Sequence, residues 1–170
     1  MLKPRQPAPP LEVDLVGGGR WSLSDQHPRH FTLVVFYRGD HCPVCRGYLR
    51  QLAALLPALS DQGVNSVVAV SGDDENRARR SVQEWQLGPL QVGYGQDPAS
   101  MRAWGLFVSK GIKAGEPNCF GEPGLFLIRP DGSLYAAVLN TMPFGRPRLD
   151  DIMAAVRWVV ENDYPARGEA

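Results

Sequence analysis

The hydrophobic pattern of this chain changes period sharply at one place. Residues 31–37 read FTLVVFY, a run of β-branched and aromatic side chains of strand length, too short for a core helix. Beyond it Cys45, Leu49, Leu52, Leu56 and Leu59 recur at steps of three and four, which marks one face of a helix starting at about Pro43. Upstream, Leu11, Val13 and Leu15 alternate with polar residues, glycines 17–19 turn the chain, and Trp21 and Leu23 form the returning strand of a hairpin. Downstream, Gly63 ends the helix and VNSVVAVS, residues 64–71, reads as a second buried strand. Strand, helix and strand with short connections make a βαβ unit, whose two strands run parallel in one sheet.

The remaining elements follow the same logic. Asp73 and Asp74 open a second helix with Ala78, Val82 and Trp85 on its inner face, and Leu87-Gly88-Pro89 stops it. Residues 90–94 form a weaker third strand. Asp97 caps a short helix that has Pro98 in first position and runs to Trp104. Residues 105–121 contain four glycines and little periodicity and are expected to form a long loop. Leu125–Ile128 and Leu134–Leu139 flank the turn-rich Arg129-Pro130-Asp131-Gly132-Ser133 and predict an antiparallel hairpin. A last amphipathic helix carries Leu149, Ile152, Met153, Val156, Val159 and Val160 on one stripe, with Asp150 and Asp151 in its first turn. The proline-rich residues 1–10 are expected as an extended arm and residues 11–170 as a single domain.

Composition narrows the function. Lysine plus arginine equals aspartate plus glutamate at 18 each, so no bulk charge draws the chain to nucleic acid or an anionic membrane. No apolar stretch approaches the roughly 20 residues that cross a bilayer, and MLKPRQPAPP lacks the apolar core of a secretory signal. Three cysteines are too few, and odd in number, for a secreted disulfide framework. They favour a reducing compartment, the cytoplasm, where a CxxC pair is redox-active or metal-binding.

That pair is Cys42-Pro43-Val44-Cys45, at the junction of strand and helix. Proline is tolerated in the first helical position, so Cys42 falls at or next to the N-cap, where unpaired N–H groups and the helix dipole favour a thiolate. His41, Arg38 and Arg46 add positive potential nearby, and Cys45 lies one turn on, within reach of a sulfenic acid or mixed disulfide on Cys42. A structural zinc site would need four ligands, and Cys119, His27, His30 and His41 provide no second pair at ligand spacing. Neither a metal nor an organic cofactor is expected.

Parallel strands with helices, then an antiparallel hairpin and a final helix, with CxxC at the end of an early strand, predict an α/β thioredoxin-like fold. It consists of a central mixed sheet flanked by helices with an N-terminal β-hairpin extension. FYRGDHCPVCRGYLRQL resembles the active-site segment of the peroxiredoxin-like (AhpC/TSA, redoxin) branch of the thioredoxin superfamily. EPGLFLIRPDGSLYAAVLNTMPFGRP and DYPARGE resemble the C-terminal half of bacterial peroxiredoxin-like proteins. The resemblance implies a cis-proline at Pro123, facing the cysteines and docking an extended substrate. It also implies a homodimer.

One departure matters. Standard peroxiredoxins carry a proline seven residues and a threonine or serine three residues before the peroxidatic cysteine. Here those positions are Val35 and Gly39 counted from Cys42, and Arg38 and Cys42 counted from Cys45. Thiolate character and exposure favour Cys42 as the attacking thiol and Cys45 as its resolving partner; superposing the peroxiredoxin motif on the CxxC would exchange them. The resemblance implies a thiol-dependent peroxidase that reduces hydroperoxides through a dithiol/disulfide cycle and is reset by an external dithiol, such as a thioredoxin-like protein. Two alternatives stand beside it: a thiol-disulfide oxidoreductase acting on protein disulfides, and a redox-sensing binding module.

Overall fold

The computed structural model describes residues 2–170. Its centre is β3, Thr32–Phe36, in which every residue is buried, as its unbroken apolar run requires. Parallel to it lies β4, Ser66–Val70, with Thr32 opposite Ser66, and beyond β4 lies β5, Gln91–Tyr94, also parallel. On the other side β8, Gly124–Ile128, runs antiparallel to β3, and β9, Leu134–Leu139, pairs with β8 as the predicted hairpin. The N-terminal hairpin of β1, Glu12–Leu15, and β2, Arg20–Ser22, joins through β1 to β5. The seven-stranded mixed sheet thus has the order β2-β1-β5-β4-β3-β8-β9.

Alternation along the strands splits the core in two. Leu33, Val35 and Tyr37 face one side and pack with Leu49, Leu52 and Leu59 of α1, Pro43–Asp61, and with Leu149 and Val156 of α4, Leu149–Glu161. Trp85, which follows α2, Glu75–Glu84, belongs to the same cluster. Val34 and Phe36 face the other side, against Met101 of α3, Pro98–Ala103, and against Trp104 and Phe126. Trp104 meets Phe126 edge-on at 4.9 Å, a geometry that adds about 1 kcal/mol to the burial itself. The strand–helix order therefore carries β3 directly from the middle of the core to the CPVC segment.

The end of α1 shows why Gly63 is there. Its φ of +80° reverses the chain, so that Gly63 N–H donates to Ser60 and Val64 N–H to Leu59. A Cβ at this position would lie 2.3 Å from His30 Cδ2.

Two expectations change. Residues 105–121 are not one loop: Val108–Lys110 (β6) and Cys119–Gly121 (β7) form a two-stranded antiparallel sheet, with Lys110 opposite Cys119. Three-residue strands are too short to display a period, although Leu106 and Phe120 are buried. The N-terminal arm is extended only in part. A turn at Lys3–Gln6 precedes a bridge from Pro7 to Ser133, and Arg5 N–H donates to the Leu134 carbonyl at 2.8 Å. Among the described residues no helix is long and apolar enough to cross a membrane.

Candidate active site

Helix α1 begins as its sequence predicts. Cys42 is the N-cap, Pro43 follows in the first turn, and Cys42 Sγ accepts the Cys45 N–H at 3.3 Å. The Cys42 N–H is itself held by the Gly39 carbonyl at 3.1 Å. All three cysteines are free thiols.

Cys42 is not the exposed member of the pair: Cys42 and Cys45 are each only 1% exposed. The cover comes from a distant part of the chain. Arg146 Nη2 lies 3.7 Å from Cys42 Sγ and 3.2 Å from Cys45 Sγ, and its Nη1 is anchored on the carbonyls of Pro143 and Gly145 at 3.1 and 2.6 Å. Sequence reasoning passed over this arginine because the segment around it has no hydrophobic period. Its only signal is a cation bracketed by Gly145 and Pro147.

The environment separates the two thiols. Cys42 is lowered to about 6, first by the hydrogen bond it receives from the Cys45 side chain. The Cys45 amide and the charges of Arg146 and Arg38 reinforce that effect against the opposing cost of burial. Cys45 is pushed well above the ordinary thiol range, first by burial, then by donating its S–H to Cys42 and by the charge that Cys42 carries. Both directions favour Cys42 as the thiolate of the pair and Cys45 as the thiol that donates to it.

Arg38 is not a solvated surface charge. It pairs with the buried Glu122 at 3.2 Å, and its guanidinium lies 4.7 Å from the Phe120 ring centroid. Glu122 in turn accepts from the Ser109 hydroxyl at 2.6 Å. His41 packs on the other contact of that ring at 4.7 Å, and neither imidazole nitrogen has a hydrogen-bond partner. Burial first, and Arg38 second, lower its pKa, so His41 is neutral at pH 7 and does not supply the positive potential expected of it. Cys119 is half-buried in β7.

Pro123 lines a small cavity with Tyr48, Asn140, Arg146 and Pro147, beside the arginine that touches both sulfurs. The expected cis bond is absent, and the Glu122–Pro123 peptide is trans. Trans is the lower-energy isomer of an X–Pro bond by about 0.5–1 kcal/mol, and Pro123 takes it in the two-residue step from β7, which ends at Gly121, to β8, which begins at Gly124. The Pro123 carbonyl accepts the Asn140 N–H at 3.1 Å.

Gly39, where the peroxiredoxin pattern has threonine or serine, could not carry either residue without strain. Its φ is +128°, and a Cβ would lie 2.7 Å from Asp73 Oδ1. The space is already filled by that carboxylate. Among the described residues no group of three or more His, Cys, Asp or Glu side chains is placed to hold a metal.

The model of the AhpC/TSA family matches residues 4–137, which include the whole CPVC helix and β8. The chain belongs to the AhpC/TSA family. It is accordingly a thiol-dependent peroxidase, an oxidoreductase. Its fold is that of peroxiredoxins. Peroxiredoxin 6 of Arenicola marina superposes with a TM-score of 0.80 at 16% identity, over 95% of this chain and 76% of that one. Peroxidoxin BcpB of Mycobacterium tuberculosis gives 0.74 at 14% identity, over 94% and 99%. Peroxiredoxin Q of Xanthomonas campestris gives 0.69 at 23% identity, over 87% and 90%. No curated protein matches the sequence significantly.

Proposed function

We propose that Cys42 is the peroxide-reactive residue and Cys45 its resolving partner, in a cycle confined to one helical turn. The observation that carries this reading is the placement of the two sulfurs: Cys42 is the N-cap and its Sγ accepts the Cys45 N–H at 3.3 Å, with Arg146 in contact with both. In the first step the Cys42 thiolate attacks the distal oxygen of a hydroperoxide. An S–O bond forms, the O–O bond breaks, and the leaving alkoxide or hydroxide takes a proton, giving Cys42 sulfenic acid and an alcohol or water. The Arg146 guanidinium stabilises the attacking charge and presents donors to the peroxide oxygens.

The second step follows from what the first removes. Oxidised Cys42 no longer bears the charge that raises Cys45, while the charge of Arg146, 3.2 Å from the Cys45 sulfur in the reduced protein, favours the Cys45 thiolate. Cys45 then attacks the Cys42 sulfur; an S–S bond forms, the S–O bond breaks, and water leaves with the Cys45 proton. An external dithiol, such as that of a thioredoxin-like protein, reduces the disulfide and becomes oxidised itself. Pro123 contributes to the wall of the site. A reducing compartment, the cytoplasm, suits this cycle and the small cysteine count. A homodimer is the assembly implied by the family resemblance.

Disulfide exchange with a protein substrate is the second reading, favoured by the intact CxxC and by Gly39 in place of a hydroxyl residue. Two assays on one preparation separate them: hydroperoxide consumption with dithiothreitol as reductant, and reduction of insulin disulfides. The proposed cycle consumes one dithiol per peroxide and leaves insulin near the uncatalysed rate. Rapid insulin reduction with peroxide turnover no better than dithiothreitol alone would reverse the choice.

A further inference from the structure

Asp73 is 1% exposed, sits in the turn between β4 and α2, and has no part in the sulfur chemistry described above. Its two carboxylate oxygens are nonetheless both engaged. Oδ2 accepts the Asp40 N–H at 2.8 Å, and Oδ1 accepts from Arg77 Nε at 3.3 Å. Its own N–H donates to the Ser71 hydroxyl at 3.3 Å and its carbonyl accepts from Gly95 at 2.8 Å, so the carboxylate is presented from a fixed turn.

The Asp40 N–H and the Gly39 C=O belong to one peptide unit, which is planar and turns as a rigid plate. The N–H edge of that plate is held by Asp73. The opposite edge, the Gly39 carbonyl, accepts the Cys42 N–H at 3.1 Å. Holding one edge therefore sets the other, and with it the amide of the N-cap cysteine whose sulfur must meet the Cys45 N–H. The contact is close enough that any side chain at Gly39 would collide with the carboxylate. Asp40 is braced from the same side: its carboxylate pairs with Arg77 Nη2 at 2.7 Å and with Arg80.

Building on Cys42 as the nucleophile, we infer that Asp73 is a positioning residue for Cys42, acting through the Gly39–Asp40 peptide and not through its charge. The groups around the carboxylate are Asp40 from the loop, Arg77 and Arg80 from α2, and Tyr37, which follows β3. The two ways in which Asp73 could influence Cys42 have opposite signs. Removing a nearby negative charge favours a thiolate. Releasing the peptide plate loosens the N-cap and disfavours it.

The test is the pH dependence of Cys42 labelling by iodoacetamide, read on the Cys42 peptide by mass spectrometry, in the reduced wild-type protein, Asp73→Ala and Asp73→Asn. Loss of the acceptor in Asp73→Ala raises the labelling midpoint by about one pH unit and slows labelling at pH 6 about five-fold. Asp73→Asn keeps an oxygen acceptor without the charge and returns the midpoint to that of the wild type. A midpoint that falls or stays in place in a folded Asp73→Ala protein overturns the inference. Labelling that begins at Cys45 overturns the assignment of Cys42 as nucleophile, and the inference with it. Hydrogen exchange in the wild-type protein gives an answer even where the alanine variant does not fold. The Asp40 and Cys42 amides should show matched protection, and a protected Cys42 amide beside a freely exchanging Asp40 amide refutes the coupling.

Discussion

Replacing Arg146 by methionine keeps an unbranched apolar stem and removes the charged head. The guanidinium lies 3.7 Å from Cys42 Sγ and 3.2 Å from Cys45 Sγ. Opposite unit charges at such a separation attract by about 1 kcal/mol in water and about 4 kcal/mol at an effective dielectric of about 20. Arg146 is half-buried, and water takes its place in the variant, so the loss belongs in the lower part of that range, about 1.5–2 kcal/mol. That corresponds to an upward shift of Cys42 by about one pKa unit or slightly more. The same charge faces the peroxide oxygens during attack, so kcat/KM for hydrogen peroxide at pH 7 falls about ten-fold or more. The assay is a second-order rate from single-turnover oxidation, paired with the pH midpoint of Cys42 alkylation. Arg146→Lys should fall between the two, because an ammonium cannot reach both carbonyl anchors and both sulfurs at once. A peroxide rate within about two-fold of the wild type, with an unmoved midpoint, would refute the role given to this arginine.

Three further outcomes follow from the same geometry. Without added reductant, Cys45→Ser should react with one equivalent of peroxide and stop at a sulfenic acid on Cys42 that dimedone traps, where the wild type passes on to a disulfide; a wild type that accumulates the same dimedone adduct as Cys45→Ser would remove Cys45 from the cycle. The lowered thiol of Cys42 makes stability depend on pH: between about 6 and the ordinary value of 9.0 the unfolded chain holds a proton that the folded one has lost, so this group's stabilisation is complete above 9.0 and disappears as pH falls through about 6. Urea denaturation should therefore show the reduced wild type gaining on Cys42→Ser as pH rises from about 6 to 9, and a constant difference would contradict the assigned pKa. Gly39→Thr, which writes the peroxiredoxin hydroxyl back into the chain, should lower stability by about 2 kcal/mol or more and slow peroxide reduction, because a positive φ and the Asp73 carboxylate both oppose a side chain there.

What was legible in the sequence depended on how local the physics is. The CPVC helix start could be read because Pro43, the period from Cys45 to Leu59 and the strand before it all act within about one helix length. The βαβ order and the β8–β9 hairpin were equally local. The burial of Cys42 was not, because its cover, Arg146, is contributed 104 residues later from a segment with no period. The pair β6–β7 leaves no signature in the sequence because three residues cannot show alternation. His41 looked like a source of positive charge on proximity alone; only its packing on Phe120 beside Arg38 reveals that it is neutral. The trans state of Pro123 could not be read, because an X–Pro dipeptide is compatible with either isomer.

The most direct test of the account is the oxidation of the fully reduced protein by hydrogen peroxide in a stopped-flow instrument, followed by intrinsic tryptophan fluorescence and repeated with Cys42→Ser and Cys45→Ser. Oxidation should be far faster than that of free cysteine at the same pH. Cys42→Ser abolishes it, Cys45→Ser leaves its first phase intact, and mass spectrometry of the wild-type product finds a Cys42–Cys45 disulfide. A wild-type rate equal to that of free cysteine, or a fast phase that survives Cys42→Ser, would contradict it.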